Sequence, residues 1–105
     1  MQSKVLQLLK HLEQELTMQN LWQTQPPSGE ALASTQPFCI DTLSFEQWLQ
    51  FIFIVKIKLM IEQGMTLPSQ ISLTPMAEEA FKHLGEKANN LIKVIADIDA
   101  TLSNQ

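Results

Sequence analysis

Apolar residues recur at helical spacing in three stretches of this chain, with turn-forming residues between them. Val5, Leu8, Leu9, Leu12 and Leu16 follow one another at steps of three, one, three and four. That spacing gathers them within about 100° of arc, while Lys4, Gln7, Lys10 and Gln14 take the other side. With Ser3 as N-cap and Leu21 and Trp22 closing the last turn, the pattern predicts a first helix over residues 4–22. Ser44-Phe45-Glu46-Gln47 matches a capping box, and Gly64 stands at the C′ position of a second helix over 45–63. Within it Phe45, Trp48, Ile52, Val55 and Leu59 form one apolar stripe. Leu49, Phe53 and Met60 form a second, and Ile54, Ile57 and Ile61 a third. A helix apolar around most of its circumference is buried by several neighbours. The competing reading is a strand, because residues 51–58 are largely β-branched or aromatic. The capping box, the length and the terminal glycine favour helix.

Thr74-Pro75 is a further start signal, with Thr74 as N-cap and Pro75 at N1. It opens a short third helix over 75–84, which Gly85 interrupts. Leu91, Ile95, Ile98 and Leu102 then form a bundle seam on a fourth helix over 86–102. Residues 23–43 contain Pro26, Pro27, Gly29 and Pro37. A structureless loop of that length is unusual in a compact domain. The loop is therefore expected to be ordered, with a helical turn at 29–33 capped by Ser28 and with Phe38 and Ile40 as anchors. The predicted architecture is all-α: a single domain over 1–105, a compact bundle of about four helices with a long ordered loop 23–43.

The charged fraction of 17% is below the usual ~25%, and glutamine supplies much of the polarity. The seven basic residues are scattered and the net charge is −4. Phosphate-backbone affinity comes from clustered Lys and Arg, so direct nucleic-acid binding is not expected. Cys39 stands alone and can form no intrachain disulfide. The N-terminal apolar residues are periodic, unlike a signal peptide. The apolar run 49–61 is broken by Gln50, Lys56 and Lys58 and falls short of the ~20 residues a membrane span needs. A cytoplasmic protein with no membrane association is expected.

Reactive groups do not converge. His11 and His83 are far apart and read as surface histidines, and Cys39 as a small, part-buried apolar residue beside Phe38. Glu78 and Glu79 are adjacent, so they diverge on a helix and cannot face one another as an acid and base. Nucleotide-loop, CxxC and HExxH motifs are absent. No catalytic residue, metal or cofactor is expected, and the chain is not read as an enzyme. Asp41 and Thr42 precede the second helix and read as its cap. Gln50 needs a hydrogen-bond partner if buried, and is expected to tie the 34–43 loop to the helix. Lys56 and Lys58 read as a solvated edge.

At Pro27, Glu30, Ala31, Leu32 and Ser34, then Pro37-Phe38, Asp41-Thr42 and Trp48-Leu49-Gln50-Phe51, the chain resembles the YqcC-like family of small bacterial proteins of unknown function. Leu67-Pro68 and Pro75-Met76-Ala77 fit as well, so the resemblance covers nearly the whole chain. It departs at Ile54-Val55-Lys56, where members often have Ile-Pro-Arg; loss of that proline removes an expected kink. The resemblance implies an all-helical fold and no known activity. It also implies a neighbourhood, since such proteins are often encoded beside a C-type tRNA pseudouridine synthase.

Three functional readings follow. The first is a non-enzymatic interaction or accessory module using surplus apolar surface on the second helix, as a homodimer or with the pseudouridine synthase as partner. The second is a small-ligand-binding protein or enzyme with a pocket near Asp41 and Trp48. The third is an RNA-binding accessory. The candidate recognition or loop-tie residues are Ser34, Thr35, Pro37, Phe38, Asp41, Thr42, Trp48 and Gln50.

Overall fold

The computed structural model describes residues 2–39 and 41–104, without the side chains of Gln2 and Pro37. The expected anchor Ile40 lies outside the described residues. Among the described residues the main helices are α1 (Gln2–Met18), the single turn α2 (Gly29–Leu32), the central α3, α4 (Thr74–Ala80) and α5 (Asn89–Ser103). Helix α3 is continuous through three segments, Phe45–Trp48, Leu49–Phe53 and Ile54–Glu62. Helices α1 and α5 form the most extensive pair. Val5, Leu9, Leu12 and Leu16 on one, and Leu91, Val94, Ile95, Ile98 and Leu102 on the other, are buried. Each such side chain contributes roughly 1.5–3 kcal/mol by leaving water.

Helix α1 stops at Met18, four residues before the expected end. Asn20 adopts φ 61°, Leu21 N–H donates to Leu16 O at 2.8 Å, and Asn20 N–H donates to Thr17 O at 3.1 Å. This is a Schellman stop, in which a left-handed C′ residue lets the chain satisfy the last carbonyls. Asparagine tolerates that conformation nearly as glycine does. At the other end Ser3 lies within the helix and is not its cap. Gly64, at φ 67°, makes the same stop for α3, with Met65 N–H donating to Met60 O at 2.8 Å.

The start of α3 follows the capping-box expectation. Ser44 N–H donates to Gln47 Oε1 at 2.8 Å, and Gln47 N–H donates to Ser44 Oγ at 3.4 Å. The middle does not follow a regular α pattern. Residues Leu49–Phe53 form a π turn, and Ile54 N–H reaches back to Leu49 O. Ile54-Val55-Lys56 contains no proline, yet α3 is irregular just before it. A π turn delays the winding by about one residue, or roughly 100° of helix rotation. Read with a uniform period, Phe45 and Leu49 point well away from Ile54 and Ile57. The delay brings all four to one side, and all four are buried. The three apolar stripes of the sequence thus collapse into one broad buried face and one outer stripe.

The third helix is shorter than expected. Past Ala80 the chain tightens into a 3₁₀ segment, Lys82–Ala88, broken at Gly85 with φ 60° and ψ −134°. Phe81 at the junction is fully buried. The fourth predicted helix accordingly begins at Asn89, three residues late.

Candidate functional site

The predicted polar residues form two separate ties, with an aromatic cluster between them. In the first, Ser34 Oγ donates to Asp41 Oδ1 at 2.5 Å and accepts from Gln36 N–H at 3.1 Å. Thr42 Oγ1 donates to Ala31 O at 2.7 Å. These bonds staple the segment after α2 to the segment before α3. Asp41 therefore does not cap α3, because Ser44 and Gln47 already satisfy that helix end. Thr35 is exposed, and Pro37 opens a short 3₁₀ turn, Pro37–Cys39. Phe38 and Cys39 both adopt left-handed backbone, at φ 57° and 50°. Two successive non-glycine residues in that region are uncommon. The turn presents Phe38 to α3 and buries Cys39.

The second tie is made by Gln50, which is only 6% exposed. Its Nε2 donates to Gln23 O at 2.8 Å, and its Oε1 accepts from Gln23 N–H at 2.9 Å. Gln47 Nε2 adds a bond to Gln23 Oε1 at 3.3 Å. An amide side chain thus pairs with a backbone amide much as two strands would. The partner is the start of the long loop and not the 34–43 segment.

Phe38, Phe45, Trp48, Phe53 and Phe81 form the cluster. Phe38 meets Trp48 edge-on with centroids 4.9 Å apart, and Phe45 stacks on Trp48 at 5.8 Å and 13°. Phe45 also touches Phe81, and Trp48 touches Phe53. Apolar grooves lie on either side. One of 250 Å³ is lined by Phe38, Leu43, Phe45, Met76, Glu79 and Ala80. Another of 260 Å³ is lined by Trp48, Ile52, Phe53, Lys56, Pro68 and Ile71. Asp41, Thr42 and Gln50 line neither groove.

Three polar features lie outside the sequence expectations. Asp99 on α5 accepts from Leu73 N–H, Thr74 N–H and Thr74 Oγ1, at 2.7–2.9 Å. It caps α4 from another helix. Thr74 is thus the first residue of α4 and donates its hydroxyl instead of accepting as a cap. A signal was present, since Asp99 follows Ile95 by four residues and so borders the apolar seam. Lys58 Nζ pairs with Glu13 Oε1 at 2.9 Å, joining α3 to α1. His11 Nε2 lies 3.5 Å from the buried Glu15. Among the described residues no three His, Cys, Asp or Glu side chains gather as metal ligands, and no helix is long and apolar enough to cross a membrane.

Fold and site together define a small all-helical domain, built around one irregular central helix and stapled by amide and hydroxyl side chains. The chain belongs to the DUF446 family, described as tRNA pseudouridine synthase C, which matches residues 4–101. The resemblance to YqcC-like proteins holds. An uncharacterised protein of Haemophilus influenzae is 46% identical over 93 residues, covering 86% of this chain and 88% of that one. The uncharacterised protein YqcC of Escherichia coli K12 is 31% identical over 72 residues, covering 69% and 66%. The tRNA pseudouridine synthase C of Pectobacterium carotovorum is 36% identical over 67 residues, which are 64% of this chain but only 18% of the synthase. The solution NMR structure of E. coli YqcC shares the fold, with a TM-score of 0.86 at 24% identity over 98% of this chain and 88% of that one. The relatives matched over most of their length carry no enzymatic name.

Proposed function

We propose that this domain is a non-enzymatic interaction module that works in contact with a C-type tRNA pseudouridine synthase. The observation that carries this reading is the match to 67 residues of such a synthase, 18% of its length. Most of that synthase lies outside the match. A module held in the same polypeptide as an activity meets it at a high effective concentration. A module on a separate chain must supply affinity through its surface instead, and this domain has surface to offer. Val55 and Leu59 on the outer stripe of α3 are 56% and 49% exposed. The ligand-pocket reading has less support, because the Asp41 carboxylate is engaged by the Ser34 hydroxyl.

The test mixes the purified chain with the tRNA pseudouridine synthase C of the same bacterium, on size exclusion with light scattering. A complex containing both chains at micromolar concentration is expected. Separate elution of the two would overturn the reading. The same run reports whether the chain alone is a homodimer.

A further inference from the structure

We propose that the groove between the start of α1 and the end of α5 is the face that meets the synthase, and that the contacts made there are polar and charge-paired. The proposal rests on the reading of the previous subsection and selects one face for it. Helices α1 and α5 run antiparallel. Gln19, just past the end of α1, donates from Nε2 to Lys87 O, just before α5, at 2.8 Å. At the opposite end of the pair, Lys4 and Leu8 share a 490 Å³ groove with Asp97, Ala100, Thr101 and Asn104. Helix α1 rises about 25 Å between these two ends. The start of α1 and the end of α5 therefore lie side by side, and both open beside this groove.

That arrangement says what stands next to the groove in a fused protein. All but 18% of the Pectobacterium carotovorum synthase lies outside its match to this domain. A polypeptide that holds the domain continues from the start of α1, from the end of α5, or from both. Each route leaves at the same end of the bundle, so the rest of the synthase is tethered beside the groove at high effective concentration. The lining suits such a neighbour, because interfaces between domains of one chain are more polar than permanent subunit interfaces. Lys4 stands on one wall, and Asp97, Thr101 and Asn104 on the other. Lys4 and Asp97 form no ion pair with each other, so the matching surface presents a carboxylate to the first and a cation to the second. The two apolar grooves beside the aromatic cluster have no lining residue from α1 or α5 and lie away from these exits.

Isothermal titration of the 105-residue chain with the tRNA pseudouridine synthase C of the same bacterium tests this. One variant exchanges the two charges, Lys4→Glu with Asp97→Lys, and so keeps the net charge at −4. A second, Ala100→Arg, fills the groove. Met18→Glu, at the other end of α1, and Val55→Glu with Leu59→Glu, on α3, probe other faces. All six residues are exposed, so circular dichroism and melting should match the parent. The charge exchange and Ala100→Arg are each expected to weaken the complex at least about tenfold, and Met18→Glu should leave it unchanged. A complex indifferent to the groove variants, or weakened as much by Met18→Glu, overturns the groove and leaves the partner reading standing. So does a complex weakened only by the α3 variant. No complex with the parent chain overturns both.

Discussion

At the scale of single residues, the polar side chains with most effect are those that complete another segment's backbone. Gln50 satisfies both the N–H and the C=O of Gln23 from a buried position. Gln50→Ala strands both groups and is expected to cost about 2 kcal/mol in urea unfolding. Gln50→Glu keeps the acceptor and loses the donor, so it should also destabilise. Asp99 serves α4 in the same way, holding two backbone N–H groups and one hydroxyl. Asp99→Ala should cost roughly 2–3 kcal/mol and raise amide exchange at Leu73 and Thr74 first. The two residues differed in legibility. Gln50 stood out because an amide interrupts an apolar run. Asp99 looked like an ordinary acid late in a helix, because its partners are 25 and 26 residues away and no local pattern encodes such a distance.

At the scale of elements, starts and stops were legible wherever the capping chemistry is local. Ser28, Ser44 and Gly64 each do what their neighbours in sequence imply. The end of α1 was misplaced because its left-handed residue is Asn20 and the apolar pair Leu21 and Trp22 continues the pattern past it. Asn20→Ala should cost about 1 kcal/mol, and Asn20→Gly should be neutral or slightly stabilising, by thermal melting. The π turn was illegible because periodicity analysis assumes a constant period, and an apolar helix then reads as apolar all round. Deleting Phe51 tests its role. The deletion removes the one residue by which the π turn delays the winding, so a regular α-helix would keep Phe45, Leu49, Ile54 and Ile57 on one side. A folded variant with a cooperative unfolding transition is the expected result. A deletion variant that fails to fold would refute the phase argument.

At the scale of the whole molecule, the all-helical class and the position of the core were legible from periodicity together with the local capping signals. Which helices meet was not, because amphipathic faces carry no addresses. The structure joins the first long helix to the last, and it packs Phe45, Phe53 and Phe81 of the aromatic cluster into the same core. Pairing α1 with α5 has a consequence for how the chain is made. Synthesis proceeds at about 5–20 residues per second, so α1 leaves the ribosome several seconds before its partner exists. During that interval Val5, Leu9, Leu12 and Leu16 have no permanent cover, and α4 has no Asp99 to cap it. The core thus closes only once the α5 residues have emerged.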